Sequence, residues 1–309
     1  MLFQKKIYRF IFAAVSFTFI ICTSHFANLQ AQSAQNYLTF STPDELSQFM
    51  KFDSGSGPLI SAHRGGPAPG IPENSIEAFE RTLGKSFAIL EFDIRLSKDS
   101  VLVVMHDRSL DRTTTCSGDV DELTIREIRH CFLVDNDGEI TDFRVPTLQE
   151  VLAWSEGRGV VTIDVKREVP FHMVVEEVER SRAEGRSTII VYNLDHMLEV
   201  HELNPELLIA ATATTIDDAE AIIHSGVDLS RLSVFIGVNN LDKDLIDYLN
   251  SHGIKTIMGT FGDLDRRALE EGAELFSELF EFGVDIIATD VVDVASEAVE
   301  LLPEPMMAD

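Results

Sequence analysis

Short aliphatic and β-branched runs alternate with amphipathic helical stretches along most of the chain, and this alternation restricts the fold more than any other feature. The strand-like runs are LISAHRG (59–65), AILEFDIRL (88–96), VLVVMHD (101–107), VVTIDVKR (160–167), STIIVYN (187–193), LLIAATA (207–213), LSVFIGV (232–238), KTIMGTF (255–261) and VDIIATD (284–290). Helix patterns separate most of them, from SIEAFERTLGK through TLQEVLAWSEG to the long stretch LDRRALEEGAELFSELFEFG (264–283). A helical crossover returns the chain to the same end of a sheet, so such strands lie parallel and the class is α/β. The count predicts a (β/α)8 TIM barrel: eight βα steps fit when AILEFDIRL and VLVVMHD are joined by the short SKDS turn. Residues 108–146 carry little strand pattern and are expected to form an insertion after the histidine strand of the second βα unit. Chemistry in such a barrel gathers at the C-terminal strand ends. His63, Asp93, His106, Lys166, Asn193 and Asp290 close strands here.

The chain begins with Lys5, Lys6 and Arg9, then the uncharged run FIFAAVSFTFIIC (10–22), then the polar TSHFANLQAQ. That order is the pattern of a secretory signal peptide, and the run is shorter than the roughly 20 residues a membrane-spanning helix needs. A signal anchor is the alternative. With cleavage near Ala31, the expected organisation is a signal peptide (1–31), an N-terminal arm with one helix (32–57), the barrel (58–302) and a C-terminal tail (303–309). The protein is therefore expected to be exported, periplasmic or secreted, without stable membrane insertion once the signal is removed. Twenty-five basic against 52 acidic residues leave a net charge of −27. Such a surface repels nucleic acid and anionic headgroups, so a phosphate-handling site on it needs local cations. Cys116 and Cys131 survive cleavage; in an exported chain they are either a disulfide closing the loop between them or two buried thiols.

In AILEFDIRL, Glu91 and Asp93 interrupt an apolar run at a spacing of two, which puts both carboxylates on one face of a strand. Asp164 and Lys166 repeat that spacing in VVTIDVKR. Acids aimed into a barrel are costly without compensation. Three of them around one pocket describe a hard oxygen site for one divalent cation, Mg2+ or Ca2+; buried ion pairs through Lys166 are the alternative. His63 and His106 end their strands near a common site, where histidines can move protons. Arg64 can grip a phosphate oxygen and Lys166 can add a second positive charge. This set suits phosphodiester cleavage better than acyl transfer. No nucleophile elbow, P-loop or dinucleotide fingerprint is present.

HRG, then PEN, then EFD, then VVMHD followed by DRTT, resembles the glycerophosphodiester phosphodiesterase family in order and spacing, over about residues 58–302. The resemblance implies a (β/α)8 barrel and a metal-dependent hydrolysis of small-molecule glycerophosphodiesters to glycerol 3-phosphate and an alcohol. It implies that His63 and His106 are the catalytic acid–base pair and that Glu91, Asp93 and Asp164 hold the metal. Glu73 and Asn74 match its Pro-Glu-Asn and are expected to fix the surrounding loop. The third acid departs from the family's usual glutamate by one methylene, and TIMGTFG stands where a Trp-Thr-Val-Asn motif is usual. Two alternatives stay open: a phospholipase acting on an intact lipid headgroup, and a non-catalytic binding protein that keeps the barrel.

Overall fold

The computed structural model describes residues 36–302. The expected signal peptide and the tail from 303 lie outside them. Nine strands form one sheet: β1 (Leu59–Ala62), β2 (Ile89–Leu96), β3 (Leu102–Val104), β4 (Val161–Val165), β5 (Ser187–Ile190), β6 (Leu208–Thr212), β7 (Leu232–Val238), β8 (Lys255–Gly259) and β9 (Ile286–Thr289). Their order is β1-β9-β8-β7-β6-β5-β4-β2-β3, and β1 also pairs with β2. Eight parallel strands thus close a ring, with helices packed around it: a TIM barrel.

The ninth strand is the exception. β3 runs antiparallel to β2, with Val104 opposite Ile94 and the Met105 amide donating to the Asp93 carbonyl at 2.9 Å. The Ser97–Ser100 turn folds VLVVMHD back along β2, so His106 returns to the level of Asp93. The insertion that follows has only a turn of 3-10 helix at Val120–Glu122, one helical turn at Ile125–Ile128 and isolated bridges. It is held by a small core of its own, including Leu110, Val120, Ile128 and Leu133, and by a disulfide between Cys116 and Cys131.

Local signals place the helices. Ser75 caps Ile76–Leu83 by accepting from the Ala78 amide, and Thr147 with Glu150 forms a reciprocal capping box at the start of Leu148–Ser155. Phe79 on the first of these is fully buried against Phe92 and Trp154, so it seals helix to barrel. The stretch expected as one helix over 264–283 is two, Asp263–Glu271 and Glu274–Phe282. Gly272 breaks it by adopting φ +108°, a conformation the helix cannot continue through. A final helix, Val292–Leu301, closes the last βα unit.

The N-terminal arm has a structural task. Its helix, Pro43–Met50, buries Leu46 and Met50 against Ile89, Val160, Leu208 and Ile286, residues at or beside the N-terminal ends of their strands. It therefore floors the barrel, and chemistry is left to the other end. Small inward residues (Ser61, Thr162, Thr188, Ala210, Ser233) leave a cavity of about 190 Å³ along the axis, which opens toward those C-terminal strand ends.

Candidate active site

The site begins where β1 cannot continue. Arg64, Gly65 and Gly66 all take positive φ (+52°, +86° and +73°), turning the chain sharply at His63. Glycine is required at 65 for a second reason: a Cβ there would lie 2.6 Å from the Phe79 ring. The turn aims the Arg64 amide at Glu91, whose Oε2 accepts it at 2.7 Å. The Asn74 amide group donates to Asp93 Oδ2 at 2.8 Å, and its carbonyl accepts the Asp93 backbone amide at 3.0 Å. Asn74 is also at positive φ, and its own amide donates to the Arg64 carbonyl. The HRG turn and the PEN loop therefore brace each other and the first two acids.

Asp93 and Asp164 are register partners on β2 and β4. Oxygens of Glu91, Asp93 and Asp164 all lie within 4.8 Å of one another, and the three residues are 6, 1 and 6 % exposed. Lys166 Nζ sits 2.6 Å from both Asp93 Oδ1 and Asp164 Oδ2. Tyr192, just past β5, donates its hydroxyl to Asp164 Oδ1 at 2.7 Å. Despite its shorter side chain, Asp164 reaches the cluster.

Lysine alone does not balance this group. Burial, reinforced by the charges of Asp93 and Asp164, pushes Glu91 up to about 8, whereas Lys166, His106 and Asn74 outweigh burial and hold Asp93 down at about 2. A carboxyl pushed upward by burial and by neighbouring anions is one whose charged form a bound cation would favour. All the donors are carboxylate oxygens, and the spacing suits metal–oxygen bonds of about 2.0–2.6 Å, so the set fits Mg2+ or Ca2+. Lys166 and Arg64, expected to face phosphate, both neutralise carboxylates in the structure. Lys166 bridges two of the acids, and Arg64 Nη1 donates to Glu73 Oε1 at 3.0 Å.

Both histidines are backed by an aspartate. His63 Nδ1 lies 2.8 Å from Asp290 Oδ1 and His106 Nδ1 lies 2.7 Å from Asp107 Oδ1. A carboxylate only accepts, so each Nδ1 carries the proton. Asp290 is held in turn by Asp265, which accepts its backbone amide at 2.8 Å. Burial would lower the His63 pKa, but the Asp290 bond and the charges of Glu91 and Asp290 outweigh it, and the net shift is upward. Phe261 stacks on the His63 ring at 4.3 Å between centroids, inclined 17°. Above the acids, Tyr192, Phe235, Val238 and Phe261 form an apolar mouth to the cavity.

The Glycerophosphoryl diester phosphodiesterase family model matches residues 63–294, about three quarters of the chain. The chain belongs to this family. It is a phosphoric diester hydrolase. A solved glycerophosphoryl diester phosphodiesterase from Parabacteroides distasonis is 33% identical, with a TM-score of 0.80 over 86% of this chain and 95% of that one. A glycerophosphodiester phosphodiesterase of Caldanaerobacter subterraneus is 28% identical over 75% of this chain and 93% of its own length. An Oleispira antarctica phosphodiesterase, solved with the product sn-glycerol-3-phosphate, shares the fold at 20% identity. Its TM-score is 0.62, over 79% of this chain and 97% of that one. Asp107 follows His106 directly in the sequence and is readable there as the group that holds its ring in one tautomer; the partner of His63 is what the sequence left unread. Asp290 closes a strand and so offered a signal, but nothing in the sequence pairs it with His63, 227 residues away. Arg112, which binds both Glu73 and Asp107, lies within the DRTT stretch of an insertion without periodicity, where the motif marks the residue but nothing in the sequence shows its partners.

Proposed function

We propose that the chain hydrolyses glycerophosphodiesters to glycerol 3-phosphate and an alcohol, using a divalent cation and paired histidines. The observation that carries this reading is the meeting of three buried carboxylates with two aspartate-backed imidazoles at the C-terminal end of one barrel. Glu91, Asp93 and Asp164 would hold the cation, which when bound polarises a phosphate oxygen and lowers the pKa of a neighbouring substrate hydroxyl. His106, its Nδ1 proton fixed on Asp107, offers Nε2 as the base that takes the proton from the glycerol hydroxyl attacking phosphorus. His63, biased toward the imidazolium by Asp290, is the acid that protonates the departing alcohol oxygen. Water then opens the cyclic phosphate with the two roles exchanged. Lys166 and Arg64 keep positive charge beside the reacting group and fix the acids that flank it.

The decisive assay is release of glycerol 3-phosphate from glycerophosphocholine with Mg2+ or Ca2+ against a chelated control. Equal rates with and without chelator reject the metal, and no release under any condition rejects the substrate class. We infer also that the chain is exported, from the charge and hydropathy order of residues 1–31 and from the Cys116–Cys131 bridge, which suits an oxidising compartment. Sequencing the N-terminus of the expressed protein after cell fractionation tests this. A cytoplasmic, uncleaved chain rejects it. Among the described residues no helix is long and apolar enough to cross a membrane.

A further inference from the structure

A single side chain joins the two halves of the site from outside the barrel. Arg112, from the insertion, donates through Nη1 and Nη2 to the two oxygens of Glu73 at 3.0 and 2.8 Å, and through Nε and Nη2 to the two oxygens of Asp107 at 2.6 and 3.0 Å. Each carboxylate has a second commitment. Glu73 Oε1 accepts from Arg64, and Asp107 Oδ1 accepts the Nδ1 proton of His106. The result is one unbroken chain: His106, Asp107, Arg112, Glu73, Arg64. Glu73 is almost fully buried, so its charge needs both guanidinium groups. The planar fork of arginine can serve two carboxylates at fixed angles, as an ammonium cannot. The insertion that carries Arg112 is itself tied down, by the Cys116–Cys131 bridge four residues on and by Asp135, which accepts the Gly70 amide of the HRG–PEN loop at 2.7 Å.

The geometry points to Arg112 as a positioning residue for the phosphodiesterase reaction. It orients the His106 imidazole through Asp107 and the Arg64 guanidinium through Glu73, so that base and cation are set together from one point. The inference rests on the proposed reaction for its consequence, but the positioning itself can be read without turnover.

Arg112→Ala is expected to lower kcat by about 10²-fold, the scale of a small misplacement of reacting groups, with a smaller change in KM. Arg112→Lys is not expected to restore it. Guanidinium ion added at millimolar levels restores part of the rate to Arg112→Ala, whereas sodium or ammonium at the same ionic strength does not. Combining Arg112→Ala with Asp107→Asn gives a variant no slower than the slower single one, because both break the same link. Arg112→Gln, which keeps most of the stem, serves if the alanine variant does not fold. Wild-type kcat in a folded Arg112 variant overturns the inference. So does a loss that guanidinium leaves unchanged and that multiplies with the Asp107→Asn loss, since the arginine would then serve only the fold. If the wild-type protein cleaves no glycerophosphodiester, the functional proposal falls, and the His106 ring resonances in a 1H–15N spectrum decide the positioning alone. They move in the Arg112 variant while those of His63 stay if it holds, and stay in place if it does not.

Discussion

The Tyr192 hydroxyl donates to Asp164 Oδ1, and Lys166 holds the other oxygen of the same carboxylate. Asp164 is thereby fixed at both oxygens, by groups on two successive strand ends. The charges of Asp164, Asp93 and Glu91, on top of burial, make ionisation of the Tyr192 phenol more difficult, so the residue stays a donor throughout the working pH range.

Tyr192→Phe removes that donor and keeps the ring at the mouth of the cavity. Loss of an outer partner of a metal ligand costs about 10- to 100-fold in affinity or activity. Calorimetric titration with Mg2+ or Ca2+ is expected to show weaker binding by that factor, with an unchanged melting temperature in chelator. Undiminished affinity would mean Asp164 is held well enough by Lys166 alone.

The bond between His63 and Asp290 predicts a pH dependence. His63 lies above its ordinary 6.5 because the Asp290 bond and the nearby anions outweigh burial. An acid must hold its proton, and the protonated fraction falls as pH rises through that raised value, so activity is lost on the alkaline side. Asp290→Asn takes away the anionic acceptor, lowers the His63 pKa and moves this limb to lower pH. A pH–rate profile checks it; an unmoved limb assigns the acid elsewhere. His63→Ala and His106→Ala are each expected to cut turnover by about 10² or more, the usual weight of a proton-transfer group.

Much of this site can be read in the sequence because strands have a period of two. Glu91 with Asp93, and Asp164 with Lys166, stand out as polar residues at that spacing within apolar runs, and the barrel puts such residues at one end. The partnerships that hold them depend instead on closure of the ring. Asp290 meets His63 because β9 lies beside β1, a contact without local trace. His106 is placed by a hairpin that doubles back along β2; the short SKDS turn marks the join, but the antiparallel register that brings His106 to the level of Asp93 has no local trace. The insertion holds Arg112 through turns, a disulfide and a satellite core, none of which has a periodicity to read.

The Cys116–Cys131 bridge closes a loop of 15 residues. By chain entropy such a loop is worth about 3 kcal/mol at 25 °C. Replacing both cysteines by serine is expected to lower stability toward urea by that order. Amide exchange in residues 116–145 should accelerate more than in the β-strands, because the insertion's core is small and separate. Uniform acceleration would show that the insertion and the barrel unfold as one unit.

Gly65→Ala tests the turn that presents His63. The backbone there sits at φ +86°, which an L side chain adopts only at a cost of about 1–3 kcal/mol. The added methyl would also fall 2.6 Å from two carbons of the Phe79 ring, itself fully buried between helix and barrel. Neither the ring nor the turn can yield without moving the other, so the substitution is expected to lower both stability and activity. The activity loss should exceed what the change in folded fraction accounts for, since Arg64 and its amide contact to Glu91 are displaced with the turn. Urea melts beside kcat on the same preparation separate the two effects. Stability loss with full activity per folded molecule would show that the turn can shift without disturbing the acids.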